Sequence, residues 1–505
     1  MKVAMITEGT YPFVHGGVSM WCDRLMRKLP DVEFALYAIS PAPGSALVWD
    51  LPPNVSSLEA IEIEPSTGRE FERYSKDVKQ HFLEAFDSFL VATLRETTPH
   101  EVEFTASLRS LFEACADIPV EVGVRSAAAF DLVRDRWMRR SVGDRLDDMG
   151  KPSLHDVLDV TSSLSRFLMP LSVVPNGDIA HTTANGLSSL SAMAACWTHG
   201  IPLLLTEHGV YLRERYLEAQ KSDQNARVNA FHLQFFRRLN DATLQMADLV
   251  SPVSNYNRRW EIETGAEDDR IRTIYNGVEP ALFPPIDTEP DVPTVSWIGR
   301  IDPLKDVVTL IEAFARVRDA IPEAKLRLFG PVPEGNEEYH AKCLEAIETY
   351  NLEDAVVFEG LISRVADAHE AGHVVALSSI SEGFPFTVLE AMMSGRATVS
   401  TDVGGVAEAV DDCGLLVSPR SPDEMGEALI RLLEDDALRR ELGRTARERA
   451  LALFTLDEMS GQYLEVYESL VARPSEDAGS GLLTFADPAA GDAACSTAEF
   501  GRTQS

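Results

Sequence analysis

No run of apolar residues in this 505-residue chain approaches the roughly 20 needed to cross a bilayer as a helix. The opening MKVAMITEGT has no basic stretch leading into an apolar one, so a secretory leader is not expected. Cysteine is scarce, with six residues (Cys22, Cys115, Cys196, Cys343, Cys413 and Cys495) and no C-x-x-C pair. No histidine cluster has metal-ligand spacing, and the thiols read as reduced cysteines of a cytoplasmic protein. Positive charge is also short. Against 80 acidic residues stand 46 basic ones, a formal charge of -34, which argues against a nucleic-acid surface or direct contact with anionic lipid. No solenoid-type repeat is visible, and no Asp-x-Asp motif occurs.

What is present is an alternation of short apolar runs with helical stretches, in a chain too long for one core. KVAMITE reads as a strand, GTYPFVHGG as a glycine loop, VSMWCDRLMRKLP as a helix and EFALYAI as a second strand. From about 59 to 171 the pattern becomes charged and helical, which predicts an insertion. Strands resume with GDIAHTT, PLLLTEHG, ADLVSPVS and IRTIYNGV. A Pro-rich, acidic linker is expected over 281–293. TVSWIGR, KLRLFGP, AVVFEG, HVVALSS, ATVSTD and GLLVSP then open a second doubly wound unit over 294–455. The fold class expected is therefore α/β, with an N-terminal domain over 1–280 and a C-terminal one facing it across a cleft. The helix over 456–472 is expected to cross back onto the first domain. The tail over 473–505 is rich in small and turn residues, and disorder is expected there.

Ligands of such sheets bind beyond the carboxyl ends of the strands, and the candidate residues fall there. Gly16 and Gly17 follow the first strand, where bare backbone admits a phosphate or sugar or simply makes a turn. His208 follows PLLLTE and suits hydrogen bonding to a sugar or phosphate, proton transfer, or a structural bond to backbone. Asn276-Gly277 reads either as a turn or as a cleft element. Arg300 and Lys305, in GRIDPLKD, suit a diphosphate clamp or solvated loop charges. SEGFPFTVLEAMMSG places Glu382 on a loop and Glu390 about one turn into a helix. Amides between them, around Gly383, Phe384 and Pro385, would face an anion. A carboxylate accepts two bonds from a vicinal diol, so the two glutamates suit a ribose and a sugar, or form an ordinary helix pair.

Taken together, Gly16-Gly17, His208, Asn276-Gly277, Arg300, Lys305 and Glu382-x7-Glu390 resemble the retaining glycosyltransferases of family four, with the GT-B fold of two Rossmann-like domains. The resemblance runs from Met1 to about Leu470. It implies that Arg300 and Lys305 hold the diphosphate of a UDP-sugar, Glu390 the ribose and Glu382 the transferred sugar. His208 and the Gly16-Gly17 loop would approach from the N-terminal side. His208 and Glu382 are thus the expected catalytic pair, and Gly16, Gly17, Asn276, Arg300, Lys305, Gly383, Phe384, Pro385 and Glu390 the expected binding set. No metal and no other cofactor is expected. TEGTYPFVHGGVSMW, TEHGVYLRERY and NGV are similar to the branch that builds the Pel exopolysaccharide. In that branch Asp306 stands where many relatives have glycine. The same resemblance implies that Arg213 and Glu214 are acceptor-side residues. The branch implies a polysaccharide acceptor, a cytoplasmic location without membrane insertion, and inner-membrane synthesis proteins as partners. A sugar-nucleotide epimerase or a nucleotide-binding scaffold are the alternatives from other classes.

Overall fold

A computed structural model describes residues 1–64, 70–94, 102–139, 150–222 and 224–472. The tail over 473–505, with Cys495, lies outside the described residues. Two six-stranded parallel sheets organise the rest. The first holds β1 (Lys2–Glu8), β2 (Glu33–Ile39), β3 (Val55–Ile61), β4 (Ile179–Thr182), β5 (Leu203–Glu207) and β6 (Leu249–Pro252). The second holds β7 (Thr294–Ile298), β8 (Lys325–Phe329), β9 (Val356–Gly360), β10 (Val374–Leu377), β11 (Ala397–Thr401) and β12 (Leu415–Val417). Their orders, β3-β2-β1-β4-β5-β6 and β12-β11-β10-β7-β8-β9, are the same doubly wound order. Central strands are buried on both faces, so β1 and β10 are nearly continuous apolar runs, while β4 and β5 are fully buried and end on polar residues. β3 departs from the sequence reading, which places the start of the insertion at 59. VSSLEAI is an edge strand with mostly exposed residues, and carries no apolar run to mark it. IRTIYNGV, read as a strand, forms only isolated bridges at Ile271 and Val278.

Between β3 and β4 lie the helices Lys76–Leu94, Val102–Ala114, Val120–Val124, Ala127–Met138 and Leu154–Phe167. Phe82, Phe86, Phe89, Leu108 and Leu111 from them join the same core as Phe231 and Phe235 of the helix Ala226–Met246. The last of the five begins at a capping box. Ser153 Oγ accepts from the Asp156 amide at 3.1 Å, and Asp156 Oδ2 accepts from the Ser153 amide at 2.8 Å.

The segment between the sheets is pinned to the C-terminal unit. Glu289 takes two bonds from Arg439, at 2.9 and 3.0 Å, and one from Arg440 at 3.1 Å. These guanidiniums hold its carboxyl down at about 2. The helix Leu456–Val471 returns to the first unit. Thr455 caps it, accepting from the Glu458 amide. Tyr467 Oη lies 2.8 Å from His181 Nδ1 on β4, and Tyr463 Oη 3.1 Å from Thr206 Oγ1 on β5. One apolar cluster consequently runs through both units, from Met5 and Trp21 to Phe384, Leu389, Met459 and Tyr463.

Candidate active site

The two switch points, where neighbouring strands lead their chains in opposite directions, lie between β1 and β4 and between β7 and β10. Gly16 and Gly17 lie beyond β1, at the start of the helix Gly17–Lys28. Both are exposed. A Cβ at Gly16 would meet nothing within 4 Å, and one at Gly17 only the Phe386 ring of the opposite domain at 3.9 Å. The loop therefore presents bare backbone to open space.

Beyond β7, Lys305 Nζ bonds Glu382 Oε1 at 2.5 Å, and Ser379 Oγ donates to the same oxygen at 2.6 Å. Arg300 is more open and, among the described residues, pairs only with Asp302, Nε to Oδ2 3.3 Å. Asp306 follows with φ +47°, a left-handed conformation that glycine adopts freely and aspartate better than most residues. Thr309 Oγ1 donates to Asp306 Oδ2 at 2.7 Å.

The loop after β10 meets the first domain directly. A Cβ on Gly383 would run into the main-chain carbonyl of His208, with the carbonyl carbon at 3.1 Å and Gly209 Cα at 3.8 Å. The imidazole of His208 packs edge-on to Trp21, with ring centroids 4.7 Å apart. Its Nε2 is buried without a hydrogen-bond partner among the described residues. Burial lowers its pKa to about 3, so the ring is neutral at ordinary pH. It can donate or accept one hydrogen bond, and it cannot supply a cation.

Glu390 lies on the helix Phe386–Met393, buried at 4% exposure. Its Oε1 takes a 3.1 Å bond from Arg24 Nη2 across the cleft, and the Arg24 guanidinium lies 5.0 Å from the Phe386 ring centre. Burial raises the Glu390 pKa, opposed by Arg24. Arg24 was not singled out by the sequence. It stands seven residues past Gly17 in a helix that reads as ordinary and amphipathic, and its partner is 366 residues away.

Three expected ligand contacts sit differently. The Phe384 ring is turned into the core, stacked on Tyr275 at 5.0 Å and against Phe454 at 5.4 Å, so only its main chain faces the loop. Pro385 is the buried N-cap of the helix and has no N–H to offer. Asn276 forms no turn, and its Nδ2 donates to the Phe384 carbonyl at 2.8 Å, bracing the loop from the first domain. Brought together at the cleft are Gly16, Gly17, His208, Arg300, Lys305, Glu382, Gly383 and Glu390. Glu207, next to His208, forms a buried pair with Glu261, and desolvation raises both carboxyls.

This architecture is the GT-B fold, shared by two parallel-sheet domains facing across a cleft. The sucrose-phosphate synthase of Thermosynechococcus elongatus superimposes with a TM-score of 0.62 at 20% identity, over 94% of this chain and 99% of that one. The HepE protein of Anabaena, solved with UDP-glucose, gives 0.59 at 15% identity over 93% of this chain and 100% of that one. Residues 1–269 match the family described as "Domain of unknown function (DUF3492)", and residues 280–449 match "Glycosyl transferases group 1". The chain belongs to the DUF3492 family and carries a group 1 glycosyltransferase domain behind it.

Among curated proteins it is similar to the trehalose synthase of Pyrococcus horikoshii, 31% identical over 36% of this chain and 46% of that protein. It is also similar to a D-inositol 3-phosphate glycosyltransferase of Kribbella flavida, 32% identical over 37% and 48%. The chain spans about half the length of the curated relatives it matches. No helix among the described residues is long and apolar enough to cross a membrane.

Proposed function

We propose that the protein is a retaining glycosyltransferase that transfers a hexose or N-acetylhexosamine from a UDP-sugar to a growing exopolysaccharide. The observation that carries this reading is the Lys305–Glu382 pair at one switch point, with Gly383 seated on the His208 carbonyl from the other domain. Lys305 and Arg300 supply positive charge where a diphosphate would leave, and the free amides of Phe386 and Thr387 point from the helix start. Glu382 accepts hydroxyls of the transferred sugar, and Glu390 accepts the ribose diol beside Arg24.

No carboxylate among the described residues is given the part of a nucleophile in this scheme. The acceptor hydroxyl therefore attacks on the face that the leaving group departs from, and the β-phosphate takes its proton. The chain orients the reactants and stabilises the leaving charge. Positive charge comes from side chains in this scheme, with no resident metal invoked. The UDP preference is supported by the motif pattern and by the fold shared with HepE, which was solved with UDP-glucose. The three sequence stretches favour a protein close to PelF, working in the cytoplasm with inner-membrane synthesis proteins.

A panel of nucleotide sugars with product analysis tests the reading. Retained-configuration transfer from a UDP-sugar supports it. A free, altered sugar nucleotide without acceptor would point to an epimerase, and nucleotide binding without turnover to a scaffold. Stronger stabilisation by ADP than by UDP would overturn the donor assignment.

A further inference from the structure

A cavity of about 520 Å³ opens between the domains on the far side of the Glu382 loop. The first domain supplies Arg213 from the helix Tyr211–Lys221, and Tyr256, Arg259 and Ile262 from the helix Asn255–Glu263. The second supplies Ser381, Gly404 and Glu408. In a chain of net charge -34, two guanidiniums here have no ion-pair partner among the described residues. Arg213 Nη1 donates to Ser381 Oγ at 2.8 Å. Arg259 lies over the Tyr256 ring at 5.2 Å.

Glu408, in the same wall, makes no ion pair with either of them, and Arg213 acts at longer range on Glu214, opposing the rise that burial gives that carboxyl. Glu408 is already engaged by the Asn255 amide at 2.8 Å, by Asn255 Nδ2 at 2.5 Å and by Tyr275 Oη at 2.5 Å. Arg258, the third arginine of the wall, is held by Asp268 at 2.7 Å. Asp402, also in the lining, is exposed and makes no ion pair with either arginine. Ile262, 42% exposed, and the Tyr256 ring add an apolar wall of the kind that the C–H face of a sugar covers.

The cavity shares its wall with the donor loop. Ser381 directly precedes Glu382, and a Cβ on Gly404 would collide with the Glu382 carbonyl oxygen. A ligand here lies against Ser381, in the loop whose next residue carries the carboxylate that the proposed function gives to the transferred sugar.

We propose that this cavity is the acceptor subsite for an anionic carbohydrate, its phosphate or carboxylate held by Arg213 and Arg259 and its ring laid against Tyr256 and Ile262. A planar guanidinium matches either anion in a two-pronged geometry, and the shared requirement is a negative charge on the sugar. The inference rests on the proposed transfer reaction and adds the chemical class of its acceptor.

The test uses the full chain. Isothermal titration compares glucose 6-phosphate, glucuronate and neutral glucose, and transfer assays compare phosphorylated, uronic and neutral glucosides as acceptors. The charged sugars should bind at least tenfold tighter than glucose and be used with at least tenfold higher kcat/KM. Arg259→Met, which removes no ion pair, and Arg213→Met should each erase that gap while UDP affinity is kept. The stronger of the two charged sugars tells phosphate from carboxylate. Equal use of charged and neutral acceptors, or a gap that survives both substitutions, would overturn the subsite. So would tight binding of a charged sugar that is never glycosylated. Absence of UDP binding by the unaltered chain would strike instead at the proposed function, because UDP affinity does not pass through these arginines.

Discussion

Gly383→Ala should disable the cleft without disabling either domain. A methyl group at this position would stand 3.1 Å from the His208 carbonyl carbon, with the carbonyl oxygen closer still. Both partners are main chain, so no side chain can swing aside. Ordinary carbon contacts begin near 3.5 Å, so the two loops must part by about 1 Å or more. Overpacking of this kind costs about 1–3 kcal/mol, and here it falls on the contact between domains. Lys305 and Glu382 stay on their own side and keep their bond. UDP affinity should therefore fall less than turnover, and only through the Arg24–Glu390 bond that crosses the cleft, while turnover falls about 100-fold, the usual penalty for a 1 Å misplacement of reacting groups. Titration of UDP, kcat on the UDP-sugar and small-angle scattering measure the three consequences. Because the obstacle is main chain, adding His208→Ala should not rescue the variant. Full turnover with unchanged scattering would refute the idea that this domain contact forms in the working protein.

Glu390→Gln removes the charged acceptor facing Arg24; a hydrogen bond to a charged group is worth about 1.5–3 kcal/mol, so UDP affinity should fall about 10- to 100-fold, and normal UDP binding would make the residue structural. Glu382→Ala should spare UDP affinity and lower turnover, which the same titration and a rate assay check. Lys305→Ala and Arg300→Ala should each cut turnover strongly while the unaltered chain keeps its activity in EDTA; loss in EDTA with recovery on Mg²⁺ or Mn²⁺ would sink the cationic clamp. His208 carries a pKa of about 3 in the fold against about 6.5 unfolded. The unfolded chain binds the extra proton between those values, so this group's stabilisation is present above pH 6.5 and lost as pH falls toward 3. His208→Gln should flatten the acid limb of denaturant-unfolding stability by up to about 1.4 kcal/mol per pH unit, and an unchanged limb would show that the ring is not desolvated.

The sequence is most legible where one local rule decides the outcome. KVAMITE and EFALYAI coincide with β1 and β2 residue for residue because buried parallel strands need unbroken apolar runs. Edge strands obey a weaker rule, and Val55–Ile61 shows it: its polar residues face water, so nothing separates it from a loop. The loop after β10 shows a second limit. Phe384 and Phe386 are two residues apart and equally apolar, yet one ring goes into the core on Tyr275 and the other toward Arg24 and Gly17. That choice is made by the packing of the whole second domain against the first. For Asn276 the sequence leaves a turn and a cleft element open, and distant packing decides for the cleft. Asn-Gly is a turn signal locally, and the bond to Phe384 that overrides it spans 108 residues. Arg24 is invisible for a related cause, since a helix face declares its burial through periodicity but does not declare its partner.

The electrostatics of the cleft make Lys305 the pivot of the proposed reaction. Glu382 takes bonds from both Lys305 and Ser379 at one oxygen, which leaves its second oxygen for a sugar hydroxyl. A carboxylate placed beside a diphosphate would repel it, and a lone ammonium between the two offsets that repulsion on both sides. Substituting Lys305 therefore removes more than one phosphate contact: it leaves Glu382, 12% exposed, without its counter-charge and free to swing away from the sugar. Glu390 and Arg24 repeat the arrangement one helical turn further on, with a cation from the other domain. The domain that holds the donor thus borrows its second counter-charge across the cleft. Closing the cleft and completing the ribose site become one event on this reasoning. Arg24→Met should consequently weaken UDP binding to the full chain more than its distance from the diphosphate pair would suggest.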